Sequence, residues 1–165
     1  MLRVGFDGRD LLRKRTGVVN NTLHLARELS AAHASQVVVY ADRPRAVDEA
    51  PPIDVPLRRL DAPPIVWKHV ALPLALIRDK IGLFHSPTGT LPLLAPCRQA
   101  VTIHDVFAAV EPAWFAPRTG MQLRMSQRRA AHTASAVVAV SECTKRDLVE
   151  RLGGDRGGEG AESDH

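Results

Sequence analysis

The sequence predicts a doubly wound α/β domain with a mainly parallel sheet, and three observations carry that prediction. Short β-branched runs alternate with longer segments of helical periodicity through most of the 165 residues, the imprint of strands joined by crossover helices. Runs such as Val37-Val38-Val39 and Val137-Val138-Ala139-Val140 are continuous rather than alternating, as expected of strands covered on both faces. With 45% apolar and 24% charged residues, the composition is that of a globular domain and excludes a collagen-like, wholly disordered or disulfide-scaffold chain.

Six segments have the length and content of strands: residues 2–6, 36–40, 54–60, 83–86, 100–104 and 136–140. Between the first two, Val19, Leu23, Ala26, Leu29 and Ser30 share one helical face while Arg27 and Glu28 fall off it, so residues 18–33 read as an amphipathic helix. Residues 65–80 also read as helical, but Pro73 lacks an amide donor and is expected to kink or split that segment. A third helix is expected over 117–133. A fourth follows Ser141, whose hydroxyl can cap the free amides of the first turn while Glu142 suits the positive end of the helix dipole. The proline-rich stretches 42–53 and 87–98 read as surface loops. Residues 153–165, with five glycines and no apolar residue beyond Ala161, read as a disordered tail behind a single domain of residues 1–152.

Charge narrows the partners. The formal net charge is +4, and because the last thirteen residues hold four acids and one arginine, the body carries +7. Such an excess favours anionic partners. Arginine outnumbers lysine 18 to 4, which suits phosphate recognition and equally reflects a compositional bias. Aromatics are only 4% and form no basic-aromatic stripe, so nucleic acid is not an expected partner. Cys97 and Cys143 have no pairing or metal-ligand spacing and read as reduced thiols. His24, His33, His69 and His132 are dispersed, so no metal site is expected. The N-terminus lacks a basic region followed by an apolar core, and no stretch has the length of a membrane span, which points to the cytoplasm.

A few residues stand where chemistry is done in such folds. After the first strand, Arg13-Lys14-Arg15-Thr16-Gly17 leads into the first helix and places Gly17 at its N-terminus, where free amides suit an anion; the plainer reading is that Gly17 only makes the turn. His104-Asp105 follows Ala100-Val101-Thr102-Ile103 at the carboxyl end of a strand, where ligands bind in open α/β sheets. Histidine there can donate to a sugar hydroxyl or carry a proton, with Asp105 either fixing it or merely capping the next loop. His85 ends another strand and, with Ser86 and Thr88, either lines the same crevice or is a structural histidine. The third helix carries Arg118, Arg124, Arg128 and Arg129 beside Met121 and Met125. It suits an anionic membrane surface, unless the methionines pack on the sheet and the arginines form a solvated face.

Taken in order, Val4-Gly5-Phe6-Asp7-Gly8-Arg9, Thr16-Gly17-Val18, Leu83-Phe84-His85-Ser86-Pro87, Val101-Thr102-Ile103-His104-Asp105-Val106 and Val138-Ala139-Val140-Ser141-Glu142-Cys143-Thr144-Lys145-Arg146-Asp147-Leu148 resemble the N-terminal half of family 4 glycosyltransferases, retaining enzymes of the two-domain, Rossmann-like GT-B fold. The resemblance implies transfer of a sugar from a nucleotide diphosphate sugar to a glycan or lipid-linked acceptor, with no cofactor and no metal. It implies catalytic roles for His104 and Asp105, a donor-phosphate loop at Thr16 and Gly17, and crevice positions for His85, Ser86, Ser141 and Thr144. With the +7 body and the arginine-bearing third helix, a lipid-linked acceptor would place such a cytoplasmic enzyme peripherally at the inner face of a membrane. Val18-Val19-Asn20-Asn21 departs from the further glycine and aromatic that relatives often carry after the phosphate-loop glycine. The resemblance stops near residue 152, so the donor-binding second domain is expected to be absent and the chain inactive alone. The alternatives are a stand-alone module that binds a phosphorylated or glycosylated ligand without turnover, and a non-functional fragment.

Overall fold

The computed structural model describes residues 2–12, 17–33, 36–42 and 56–153. They form an α/β unit around a six-stranded, all-parallel sheet of order β3-β2-β1-β4-β5-β6. In chain order the strands are β1 (Val4–Asp7), β2 (Val37–Ala41), β3 (Leu57–Arg59), β4 (Leu83–Ser86), β5 (Arg98–Ile103) and β6 (Ala136–Ala139). Each lies where the sequence places a strand. β1 ends one residue later than expected, β5 begins two residues earlier and stops before His104, and β3 is shorter. Phe6 pairs in register with Val39 on one side and His85 on the other.

Alternate side chains of the strands feed two cores, one on each face. Val37, Val39 and Phe6 pack with Val19 and Leu23 of α1 (Gly17–His33). Val38, Tyr40, Phe84, Val101 and Ile103 pack on the opposite face with residues of three later helical segments. The first is a rod formed by α2 (Pro64–Val66), a π-helical turn (Trp67–Ala71) and α3 (Leu72–Arg78). The others are α5 (Pro117–Thr133) and α6 (Glu142–Leu152), while the short α4 (Phe107–Val110) lies before α5. Pro73 accounts for the form of the rod. It has no N–H to give and its ring crowds the preceding turn, and the chain answers with a wider turn in which the Leu72 N–H reaches back five residues to the Trp67 carbonyl. α6 starts as expected, with the Ser141 hydroxyl accepting from the Thr144 N–H at 3.1 Å, and it closes on Gly153 at φ +67°, where a side chain would be strained.

Three expectations need correction. The run at Val137-Val138 is not covered on both faces: β6 is an edge strand, and Val138 is 50% exposed. The 87–98 stretch is not simply a surface loop. Pro87, Gly89, Leu91 and Pro92, in the connection from β4 to β5, are buried, and Arg129 of α5 holds the Leu91 and Pro92 carbonyls at 2.6 and 2.9 Å. Met121 and Met125 do not pack on the sheet. They are 63% and 66% exposed, since α5 turns Gly120, Gln127, Ala130 and Ala131 inward. The basic loop Arg13–Thr16, residues 43–53 of the first proline-rich stretch and residues 154–165 of the glycine-rich tail lie outside the described residues.

Candidate functional site

β1 and β4 are neighbours from which chain order runs outward in both directions, so their carboxyl ends mark the topological switch where an open α/β sheet leaves a crevice. β1 delivers Asp7, Gly8 and Arg9 to this edge. Gly8 is demanded by packing: its N–H bonds the Tyr40 carbonyl at 2.8 Å, and a Cβ would sit 2.3 Å from Val39 Cγ1. Asp7 is buried and receives Arg9 in a fork, Nη2 to Oδ2 at 2.7 Å and Nε to Oδ1 at 3.0 Å, with the Arg9 backbone N–H on Oδ1 at 3.2 Å. The guanidinium lies 4.3 Å from the centre of the Trp67 ring. Burial works against its charge, but the Asp7 hydrogen bonds and the charges of Asp7, Asp42 and Asp10 prevail and hold it above the ordinary arginine value.

The two strand-end histidines differ. His85 is only 8% exposed. Its Nε2 shares a proton with Thr102 Oγ1 at 2.9 Å, and its ring stands edge-on to Phe6, 5.4 Å between centres. Burial pushes its pKa down, with Asp7 opposing the shift. His104 is half-buried just past β5, and its Nε2–H donates to the Pro87 carbonyl at 3.0 Å. That bond fixes the tautomer and leaves Nδ1 for another partner. The backbone of His104 is held as well: the Thr144 hydroxyl donates to its carbonyl at 3.1 Å. The Ser141 hydroxyl lies 3.0 Å from Thr144 Oγ1 and supplies the proton for that contact, so three site residues named from sequence form one chain of hydrogen bonds.

Asp105 takes the capping alternative. Its Oδ1 accepts from the Phe107 N–H at 3.2 Å at the start of α4, and its carbonyl accepts from Gln127 Nε2 at 2.9 Å. Ser86 is buried, with its hydroxyl 3.1 Å from that of Thr88. Gly17 is the first residue of α1, as read from sequence, whereas Thr16 lies outside the described residues. The structure therefore joins His104 to Ser141 and Thr144, and turns His85 into the face of the sheet. Sequence reasoning missed the Asp7–Arg9 pair, and it read Arg129 only as part of a basic helix face, not as the anchor of the Leu91 and Pro92 carbonyls. For Asp7 and Arg9 a signal existed, since charged residues directly after a buried strand must be paired. For the Arg129 contacts there was none, because single cations on helices are ordinary. Among the described residues no group of His, Cys, Asp or Glu side chains is placed to hold a metal ion, and no helix is long and apolar enough to cross a membrane.

A doubly wound sheet whose carboxyl-end loops converge on the switch between β1 and β4 is the architecture of a ligand-binding α/β domain. The sequence fixes the family: the model of glycosyltransferase family 4 matches residues 15–157, and the chain belongs to that family. A search of curated proteins finds no match.

Proposed function

We propose that residues 1–152 form the acceptor-side domain of a retaining glycosyltransferase, which moves a sugar from a nucleotide diphosphate sugar to a glycan or lipid-linked acceptor in the crevice at the β1–β4 switch. The observation that carries this reading beyond family membership is the fixed His104. With Nε2–H on Pro87 and its carbonyl on Thr144, the imidazole offers Nδ1 in one tautomer at the crevice, as a group that must meet a sugar hydroxyl or take its proton needs to do. The free amides at Gly17 suit the donor diphosphate. The described residues make a single α/β unit, and the reading expects weak or no turnover until a donor-binding unit faces the crevice. The test is transfer of labelled sugar from a panel of nucleotide sugars, by the chain alone and joined to a family donor-binding domain. Transfer only by the joined form, lost in His104→Ala, supports the reading. Robust transfer by the chain alone overturns the division of labour, and an unaffected His104→Ala overturns the role of the histidine.

One surface favours a lipid-linked acceptor over a soluble one. Ala108, Pro112, Phe115, Met121, Arg124 and Arg128 line a mainly apolar groove of about 750 Å³ that also holds the two arginines. Beside it Trp114 is 69% exposed and stacks obliquely on Phe107. Apolar side chains, an exposed tryptophan and arginines on one face match an anionic lipid surface. Vesicles containing phosphatidylglycerol should bind the protein at low salt and release it at high salt, where exposed charges are screened. Equal binding to neutral phosphatidylcholine vesicles would remove this reading.

A further inference from the structure

Gln127 is the one polar side chain that α5 buries, among Gly120, Ala130 and Ala131, and it is only 6% exposed. Its Nε2–H donates to the Asp105 carbonyl at 2.9 Å. The preceding carbonyl, that of His104, is held by Thr144 of α6 at 3.1 Å. Side chains from two helices thus grip consecutive carbonyls of the turn that carries the candidate histidine. The other end of the amide gains nothing: Gln127 Oε1 is buried and makes no hydrogen bond among the described residues. Turning the amide over would set two oxygens against each other at Asp105, so the carbonyl dictates the orientation. A buried acceptor without a partner costs free energy that an apolar side chain of similar shape avoids. Packing alone therefore does not account for a glutamine here.

The same amide adjoins the connection from β4 to β5. Gly89 turns there at φ +71°, and a Cβ on it would lie 3.8 Å from Gln127 Nε2. Two residues earlier the Pro87 carbonyl takes the His104 Nε2–H at 3.0 Å. Farther along, Arg129 ties the connection to α5 again through the Leu91 and Pro92 carbonyls. The Gln127 amide thus stands beside both chain segments that the His104–Pro87 bond joins. We infer that Gln127 is a positioning residue for His104: by holding the Asp105 carbonyl beside the Gly89 turn, it keeps the imidazole on Pro87 and Nδ1 free of its proton. It acts through the backbone and touches no reacting atom. What it does for catalysis rests on the transferase reading above, whereas its effect on the His104 ring does not.

The experiment reads the ring nitrogens of His104 by NMR in the full chain at about pH 8.5, where an ordinary histidine is neutral; His104→Ala identifies the signals. Wild type should show the Nε2–H tautomer. In Gln127→Met the minor Nδ1–H form should rise about fivefold, the bias that one ordinary hydrogen bond supplies. Gln127→Leu, a second apolar replacement, should repeat the shift, and a thermal melt checks that each variant folds. Gln99→Met is the control. Its Oε1 is likewise buried without a partner among the described residues, but it lies at the far end of β5 from His104, so the tautomer should stay as it is. In the joined two-domain enzyme Gln127→Met should lower kcat about three- to tenfold with KM within a factor of about two. In the His104→Ala background it should cost nothing further. An unchanged tautomer in the folded Gln127 variants overturns the proposal, and so does an equal change in Gln99→Met, which would mark a general loosening. An unchanged kcat in a joined enzyme that is active overturns it too. The tautomer is read without turnover, so a shifted tautomer in a joined enzyme that transfers nothing rejects the transferase reading and leaves the positioning of His104 standing.

Discussion

His85 and His104 end adjacent strands and look alike in sequence, yet the sheet gives them opposite work. His85 pairs with Ala100 in the ladder, so its ring falls on the face with Phe6 and Thr102 and is buried there. His104 lies one residue beyond its strand, where the backbone leaves the pleat and the ring swings to the carbonyl of Pro87. One residue of register separates a histidine held in the face of the sheet from one that has left it. The lesson is that strand-end position raises the prior for function, but the ladder decides it.

Removing each ring should separate these roles. His104→Ala is expected to lower transfer by the joined two-domain enzyme by about 10² or more, equivalent to about 2.7 kcal/mol in barrier, with Tm nearly unchanged. Steady-state rates beside a thermal melt measure both quantities, and a collapsed melt with lost activity would move His104 into the class of His85. His85→Ala should do the reverse. It empties part of the face beside Phe6 and strands the Thr102 hydroxyl, for a loss of about 2–4 kcal/mol in denaturant unfolding.

Acid offers a gentler version of the same contrast. Because burial depresses the folded-state pKa of His85, the unfolded chain takes up a proton that the folded chain refuses. Stability is then full above the ordinary histidine value and declines as pH falls through it, levelling off below the depressed folded value. His69 is shifted in the same direction, so the diagnostic is the difference between wild type and His85→Gln. The variant should lose part of the acid dependence that sets in as pH falls below about 6.5. An unchanged slope would mean that His85 is not the group that titrates.

Much of this was legible in the sequence, and the failures have physical causes. All six strands, the α1 and α5 helices and the Ser141 cap follow from periodicity and local chemistry, which act over a few residues. The difference between Val37-Val38-Val39, sealed in the sheet, and Val137-Val138, on its open edge, does not. Both runs have the same composition, and only strand order, a property of the whole chain, distinguishes them. The outward turn of Met121 and Met125 is of the same kind: small residues on α5 took the sheet face, and the larger side chains were left outside. At the site, Ser141, Thr144 and His104 were named separately, but their union depends on β5 and β6 lying side by side. Pro73 announced a break in the rod without revealing that a π turn would carry Trp67 beneath Arg9.

That union provides the smallest and most discriminating test. The Thr144 side chain is buried, and its hydroxyl has one proton, spent on the His104 carbonyl; Ser141 fills its lone pair. Thr144→Val keeps the shape and removes the donor, leaving the carbonyl behind His104 without that partner. Stability should fall by about 1 kcal/mol, the ordinary cost of one such bond. If Thr144 acts only as structure, transfer by the joined enzyme will be unchanged once the protein is folded. If it positions His104, kcat should fall by about three- to tenfold with KM little altered, because a looser imidazole harms the transition state more than acceptor binding. Thr144→Ser, which restores the hydroxyl, should recover most of the rate. In the His104→Ala background the valine substitution should cost nothing further, since the ring it positions is gone. Additive losses in that double variant would show that Thr144 acts on something other than His104, and the chain of hydrogen bonds would then be no more than a well-made helix cap.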